Sequence, residues 1–165
     1  MLTVTEVAQP LTERDLEQFE ISFGINLPQE YRQFLLKYNG GHVEPSAFHY
    51  SSMAGCGNIT GPLDKVGIIS SFFSLNTETT MDLATIREGL PNTIPDNLLM
   101  IGGTATGNIL CLSVYGADQG FMYIWHKNQG YDLEEWEEPN CDYIYFAADN
   151  FDTFLNSLYE YEDET

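Results

Sequence analysis

Between residues 98 and 126 the chain carries three apolar runs, LLMIG at 98–102, NILCLSVYG at 108–116 and GFMYIWH at 120–126, with GTATG and ADQG as the breaks between them. Short runs rich in β-branched and aromatic residues, separated by tight glycine-containing turns, are the sequence form of an antiparallel meander. This stretch therefore supplies the centre of a sheet, and the rest of the chain has to be read as what pairs with it or covers it.

Helix signals stand on both sides of the meander. Thr12 followed three residues later by Asp15 forms a capping box with Asp in place of Glu, and Leu16, Phe19 and Phe23 then share one face before Gly24. In INLPQEYRQFLLKYNGG, residues 25–41, Pro28 suits the first helical position. Tyr31, Phe34, Leu35 and Tyr38 recur at helical offsets, and Asn39, Gly40 and Gly41 end the helix because they tolerate left-handed backbone. VGIISSFF at 66–73 reads as a strand, and 82–89 as a short helix capped by Asp82. DYIYFAA at 142–148 reads as a strand before a helix capped by Asp149 or Asn150, with Phe151, Phe154, Leu155 and Leu158 on one side. Residues 42–65, interrupted by Pro45, Gly55, Gly57, Gly61 and Pro62, read as a long loop, and EYEDET at 160–165 as an acidic tail. With 165 residues and no internal repeat, one domain over 1–165 is expected.

Charge narrows the function classes. Six Lys and Arg stand against 25 Asp and Glu, a net charge of −19, and residues 128–165 hold 12 acids with no Lys or Arg. Such a field repels nucleic acid and anionic membrane surfaces and attracts basic proteins. Cys56, Cys111 and Cys141, odd in number and without a CxxC pair, suggest neither a disulfide framework nor a zinc site and fit reduced thiols in a cytosol. The first residues lack the basic start and apolar core of a signal peptide, and no run approaches about 18 apolar residues, so a cytoplasmic protein without a membrane span is expected.

Catalytic chemistry finds little purchase. GGTATGN at 102–108 lacks the lysine of a phosphate loop and leads into a strand, so it reads as a hairpin turn. His42, His49 and His126 have no metal-ligand spacing, and Cys111 sits among apolar strand residues where a thiol is buried and inert. Glu134, Glu135, Glu137 and Glu138 form a solvated run and not a pair of differently desolvated acids. No cofactor, metal or enzymatic activity is expected. The feature that solubility leaves unexplained is the placing of Tyr131 and Trp136 inside this most acidic segment. Aromatic anchors ringed by charge suit a protein interface, which makes Tyr131, Asp132, Glu134, Glu135, Trp136, Glu137 and Glu138 the candidate partner-binding residues. The competing reading folds Trp136 back over a sheet edge.

The order LTERDLEQFE, LPQEYRQFLLKYNGG, IPDNLLMIGGTATGNILCLSVYGADQGFMYIWHKN and YIYFAADNFDTFLNSL resembles the SUKH superfamily of immunity proteins. The resemblance implies a single α+β domain with a largely antiparallel twisted sheet and helices packed against it. It also implies that the helix at 27–41 is scaffold, with Tyr31, Phe34, Leu35 and Tyr38 seated on the sheet. Bacterial members of the superfamily are mostly immunity proteins that bind and neutralise a cognate polymorphic toxin, often a nuclease, while some fungal relatives regulate cell-wall synthesis. No catalytic residue belongs to the family pattern. The expected partner is thus a cognate toxin domain, basic because a nuclease engages a polyanion, with no nucleic acid or membrane partner. The alternative is a general protein-interaction or regulatory module with a cellular client.

Overall fold

The computed structural model describes residues 2–57, 61–78, 81–91, 94–127 and 139–162. In chain order the elements are β1 (Thr3–Thr5), α1 (Glu13–Phe23), α2 (Gln29–Tyr38), β2 (His42–Glu44), β3 (Ala47–Tyr50), β4 (Lys65–Phe72), α3 (Leu83–Glu88), β5 (Leu98–Thr104), β6 (Ile109–Ser113), β7 (Met122–Trp125), β8 (Ile144–Ala148) and α4 (Phe151–Asn156). The fold is α+β, with a six-stranded antiparallel sheet in the order β3-β4-β5-β6-β7-β8 and a two-stranded sheet of β1 and β2. The meander forms the middle of the large sheet, as its three apolar runs require.

That sheet curls until its end strands meet. Just beyond β3, the Ser51 N–H donates to the Phe146 carbonyl and the Gly55 N–H to the Ile144 carbonyl, both at 2.8 Å, so the chain leaving β3 lies along β8. Ala47 on the same edge exchanges hydrogen bonds with Tyr159, just past α4. Neither β3 nor β8 is left with an open edge over these residues, which removes a template for unwanted strand pairing.

Helices α2 and α4 cover one sheet face through aromatic rings. Phe34 packs edge-on to Phe72 and Phe151 at 5.1 and 5.2 Å, and Phe154 meets Phe48 at 5.2 Å. Tyr31, Phe34 and Leu35 are buried as the helical stripe implies. The capping box of Thr12 and Asp15 is present, Gly24 closes α1 in the left-handed region, and Asn150, not Asp149, caps α4. Pro28 is the N-cap of α2 instead of its first helical residue, one position from expectation. Arg32 on α2 joins α1 through Glu13 at 2.9 Å and Glu20 at 3.1 Å.

The end of α2 does more than stop a helix. Asn39, left-handed at φ 48°, is buried, and its side-chain amide donates to the Gln9 and Leu75 carbonyls while its oxygen accepts from the Leu75 N–H. Gly40, at φ 82°, lies so close to β4 that a Cβ there would stand 2.7 Å from the Phe73 carbonyl oxygen, which only a glycine avoids. The chain then enters β2 and β3, where a long loop was expected. These strands are three and four residues long, and their partners are Thr3–Thr5 and β4. Pairing, not local propensity, makes them strands.

His42 and Glu44 fall on the same side of β2, and both imidazole nitrogens face acceptors: Nδ1 lies 3.0 Å from the Ser70 carbonyl and Nε2 2.7 Å from Glu44 Oε1. Only the imidazolium donates to both, so the Ser70 carbonyl and then Glu44 raise the His42 pKa above its ordinary 6.5. A pKa raised in the fold gives stability that is complete below the ordinary value and lost as pH rises through the raised one. His42→Gln is expected to abolish this loss. The difference in urea midpoint between wild type and variant should therefore shrink from pH 5.5 to pH 8.5; a constant difference would refute the pairing.

Candidate functional site

Tyr131, Asp132, Glu134, Glu135, Trp136, Glu137 and Glu138, the seven residues singled out in the sequence, lie outside the described residues. What is described is the ground from which their segment departs, at Lys127, and to which it returns, at Pro139. The His126 N–H donates to the Tyr143 carbonyl at 2.9 Å, one rung beyond the β7–β8 ladder, so the acidic segment is an excursion of that hairpin. Its root is held by aromatic contacts. The Tyr50 phenol is hydrogen-bonded to His126 Nε2 at 3.0 Å, and the Tyr145 ring lies 4.4 Å from the imidazole.

A disulfide between Cys56 and Cys141, with Cα atoms 5.8 Å apart and 85 residues of sequence separation, ties the returning end to the stretch after β3. This corrects the expectation of reduced thiols throughout. Sheet closure brings the two cysteines together, a proximity with no trace in their spacing. Cys111 remains free and is fully buried, and burial pushes its thiol up to about 12, so it is inert as its strand position implies.

Next to the bridge, the Gly57 N–H donates at 2.8 Å to the Tyr123 hydroxyl, which in turn donates to Asp118 Oδ2 at 2.6 Å. Asp118 Oδ1 accepts from Ser113 Oγ at 3.0 Å and from Asn97 Nδ2 at 3.3 Å. Burial pushes the Tyr123 phenol up, and the carboxylate it faces adds to the shift, so the phenol stays a donor. Asp118 read only as part of a turn in the sequence. In the fold it is a buried acceptor that braces the cysteine-bearing loop against β6 and β7.

Met100, Cys111, Tyr123 and Phe146 are successive cross-strand partners and share the sheet face away from α2 and α4; alternation places Ile109 and Trp125 on it too. On the α3 side of this face lies a hollow of about 260 Å³. Met100, Ile109 and Trp125 line it from the strands, Phe73 from just past β4 and Ile86 from α3, while Met81, half-exposed, stands at its rim. Lys127, the last described residue before the acidic segment, also lines it and is the only charged residue among those described that does. Sequence reading placed Trp125 in a strand but gave no sign of the hollow, whose walls come from residues far apart in the chain.

Among the described residues, no group of three or more His, Cys, Asp or Glu is placed to hold a metal ion, and no helix is long and apolar enough to cross a membrane. The arrangement is suited to contact: it combines an apolar hollow, a braced loop and a disulfide-tied hairpin root. Residues 10–157 match the SMI1 / KNR4 family (SUKH-1). The chain is also similar to the SPbeta prophage-derived uncharacterized protein YokK of Bacillus subtilis (strain 168), with 24% identity over 155 residues that cover 89% of this chain and 74% of that protein.

Proposed function

The chain belongs to the SMI1 / KNR4 family (SUKH-1), and from that membership we propose that it is an immunity protein that binds and neutralises a cognate polymorphic toxin, a basic nuclease domain, by stoichiometric occlusion. It acts in the cytoplasm, where such a toxin meets its substrate, and performs no reaction itself. The observation that carries the reading beyond family membership is charge: a net −19, with 12 acids and no Lys or Arg after Lys127. A nuclease presents a basic surface to its polyanionic substrate, and an acidic protein seated there blocks entry by occupancy while its field speeds encounter. The acidic segment bearing Tyr131, Asp132, Glu134, Glu135, Trp136, Glu137 and Glu138 is the proposed centre of that contact, with the aromatics as anchors.

The test is survival of bacteria expressing the toxin domain encoded beside this gene, with and without this chain. Rescue by the intact chain is expected, together with binding that weakens at least tenfold between 50 and 500 mM salt, concentrations over which the screening length falls severalfold. A variant with Trp136→Ala and Glu134, Glu135, Glu137 and Glu138 changed to Gln is expected to stay folded and lose rescue. Salt-insensitive binding would count against charge as the basis of recognition. Absence of rescue by the intact chain would favour the regulatory-module alternative.

A further inference from the structure

We infer that the hollow between α3 and strands β5–β7 is the socket for one apolar side chain projecting from a basic partner surface. The inference rests on the reading of the chain as a binder of a basic protein and locates where that binder grips.

Three properties select this occupant. The first is size. At about 260 Å³ the hollow lies below the roughly 300–1,000 Å³ of small-molecule sites, and it suits a side chain better than a cofactor. Chemistry is the second. Phe73, Met100, Ile109 and Trp125 present carbon, no carboxylate among the described residues lines the hollow, and Met81 at the rim is unbranched and adaptable. An apolar side chain is therefore what the site rewards, while a cation gains nothing inside it.

The third property is the charge of the chain. Its net charge is −19, with five acids among residues 131–138 of the sequence. This field favours a basic surface around the inserted group. It opposes a second copy of the chain, which brings another −19, and it opposes a free anion. An apolar centre with a charged surround is the usual division of labour at protein interfaces.

The test uses the full chain with Trp136→Phe, which leaves Trp125 as its sole indole, and two synthetic pentapeptides of four lysines around a central Phe or a central Ala. The Phe peptide is expected to perturb Trp125 emission and to bind at least tenfold more tightly than the Ala peptide at equal ionic strength. Gly89→Leu adds bulk at the lining, where a new Cβ meets nothing closer than 3.7 Å; Thr85→Phe does so from an exposed position on α3. Each variant is expected to keep its unfolding temperature, to erase the preference for Phe in the Trp136→Phe chain and, made in the chain that retains Trp136, to weaken toxin binding at least tenfold. Equal binding of the two peptides, no binding of either, or toxin binding unchanged by both variants would overturn the socket. Retained peptide preference with no toxin binding by the intact chain would instead sink the immunity reading and leave the socket to another basic partner.

Discussion

Replacing Phe151 by Ala is expected to remove about 4 kcal/mol of stability, from lost apolar burial plus the cavity left behind. Phe151 is fully buried, and its ring meets Tyr31 and Phe34 at 5.2 Å and Phe72 at 5.9 Å, so it joins α4, α2 and β4. Rigid rings already held by one another cannot collapse into the space, which keeps the loss at about 4 kcal/mol, inside the usual range of about 3–5 kcal/mol for such truncations. Against a total of about 5–15 kcal/mol, that leaves a marginal fold. Ile21→Ala on α1, at a side chain 81% exposed, should change stability by no more than about 0.5 kcal/mol. Urea unfolding followed by circular dichroism measures both. A Phe151→Ala midpoint as close to wild type as that of Ile21→Ala would mean that the aromatic cluster does not hold the helical layer to the sheet.

Cys56→Ser is expected to lower stability by roughly 3–4 kcal/mol. The bridge closes a loop with a sequence separation of 85 residues. The chain-entropy account gives about 4.5 kcal/mol for a loop of that length, and measured values for native bridges run lower, typically about 2–4 kcal/mol. At about 2–4 °C per kcal/mol for a chain of this size, the melting temperature should fall by roughly 10 °C. Dithiothreitol should bring wild type to the same temperature and leave the variant unchanged. Because Cys111 is buried, brief alkylation of the folded reduced protein should label Cys56 and Cys141 alone. Equal melting temperatures with and without dithiothreitol would show that closing this loop contributes nothing to stability.

These two expectations differ in how far the sequence announces them. The apolar stripe of α2 and the apolar runs of the meander are local signals that a reader can follow over a few residues, and the helix and strands stand where those signals put them. The short strands β2 and β3 are different. HVE and AFHY read as loop beside Pro45, and they become strands because Thr3–Thr5, β4 and Tyr159 supply the hydrogen bonds. The disulfide and the hollow are more remote still. Cys56 and Cys141 give no spacing rule, and Phe73, Met81, Ile86, Met100, Ile109 and Trp125 share a cavity only once strands β5–β7 pair and α3 packs beside them. The acidic segment was legible as composition, from Tyr131 and Trp136 among carboxylates, and its residues fall outside those described.

The meeting of β3 and β8 bears on how such a chain can change over generations. A sheet with an open side can gain or lose a strand there; one whose last strand lies against its first has no vacant side at which to grow. Insertions and replacements are then tolerated where the chain leaves the ring, and the excursion rooted at His126 and Tyr143 is such a place. Sequence between His126 and Tyr143 can therefore change length and composition while the register of six strands stays as it is.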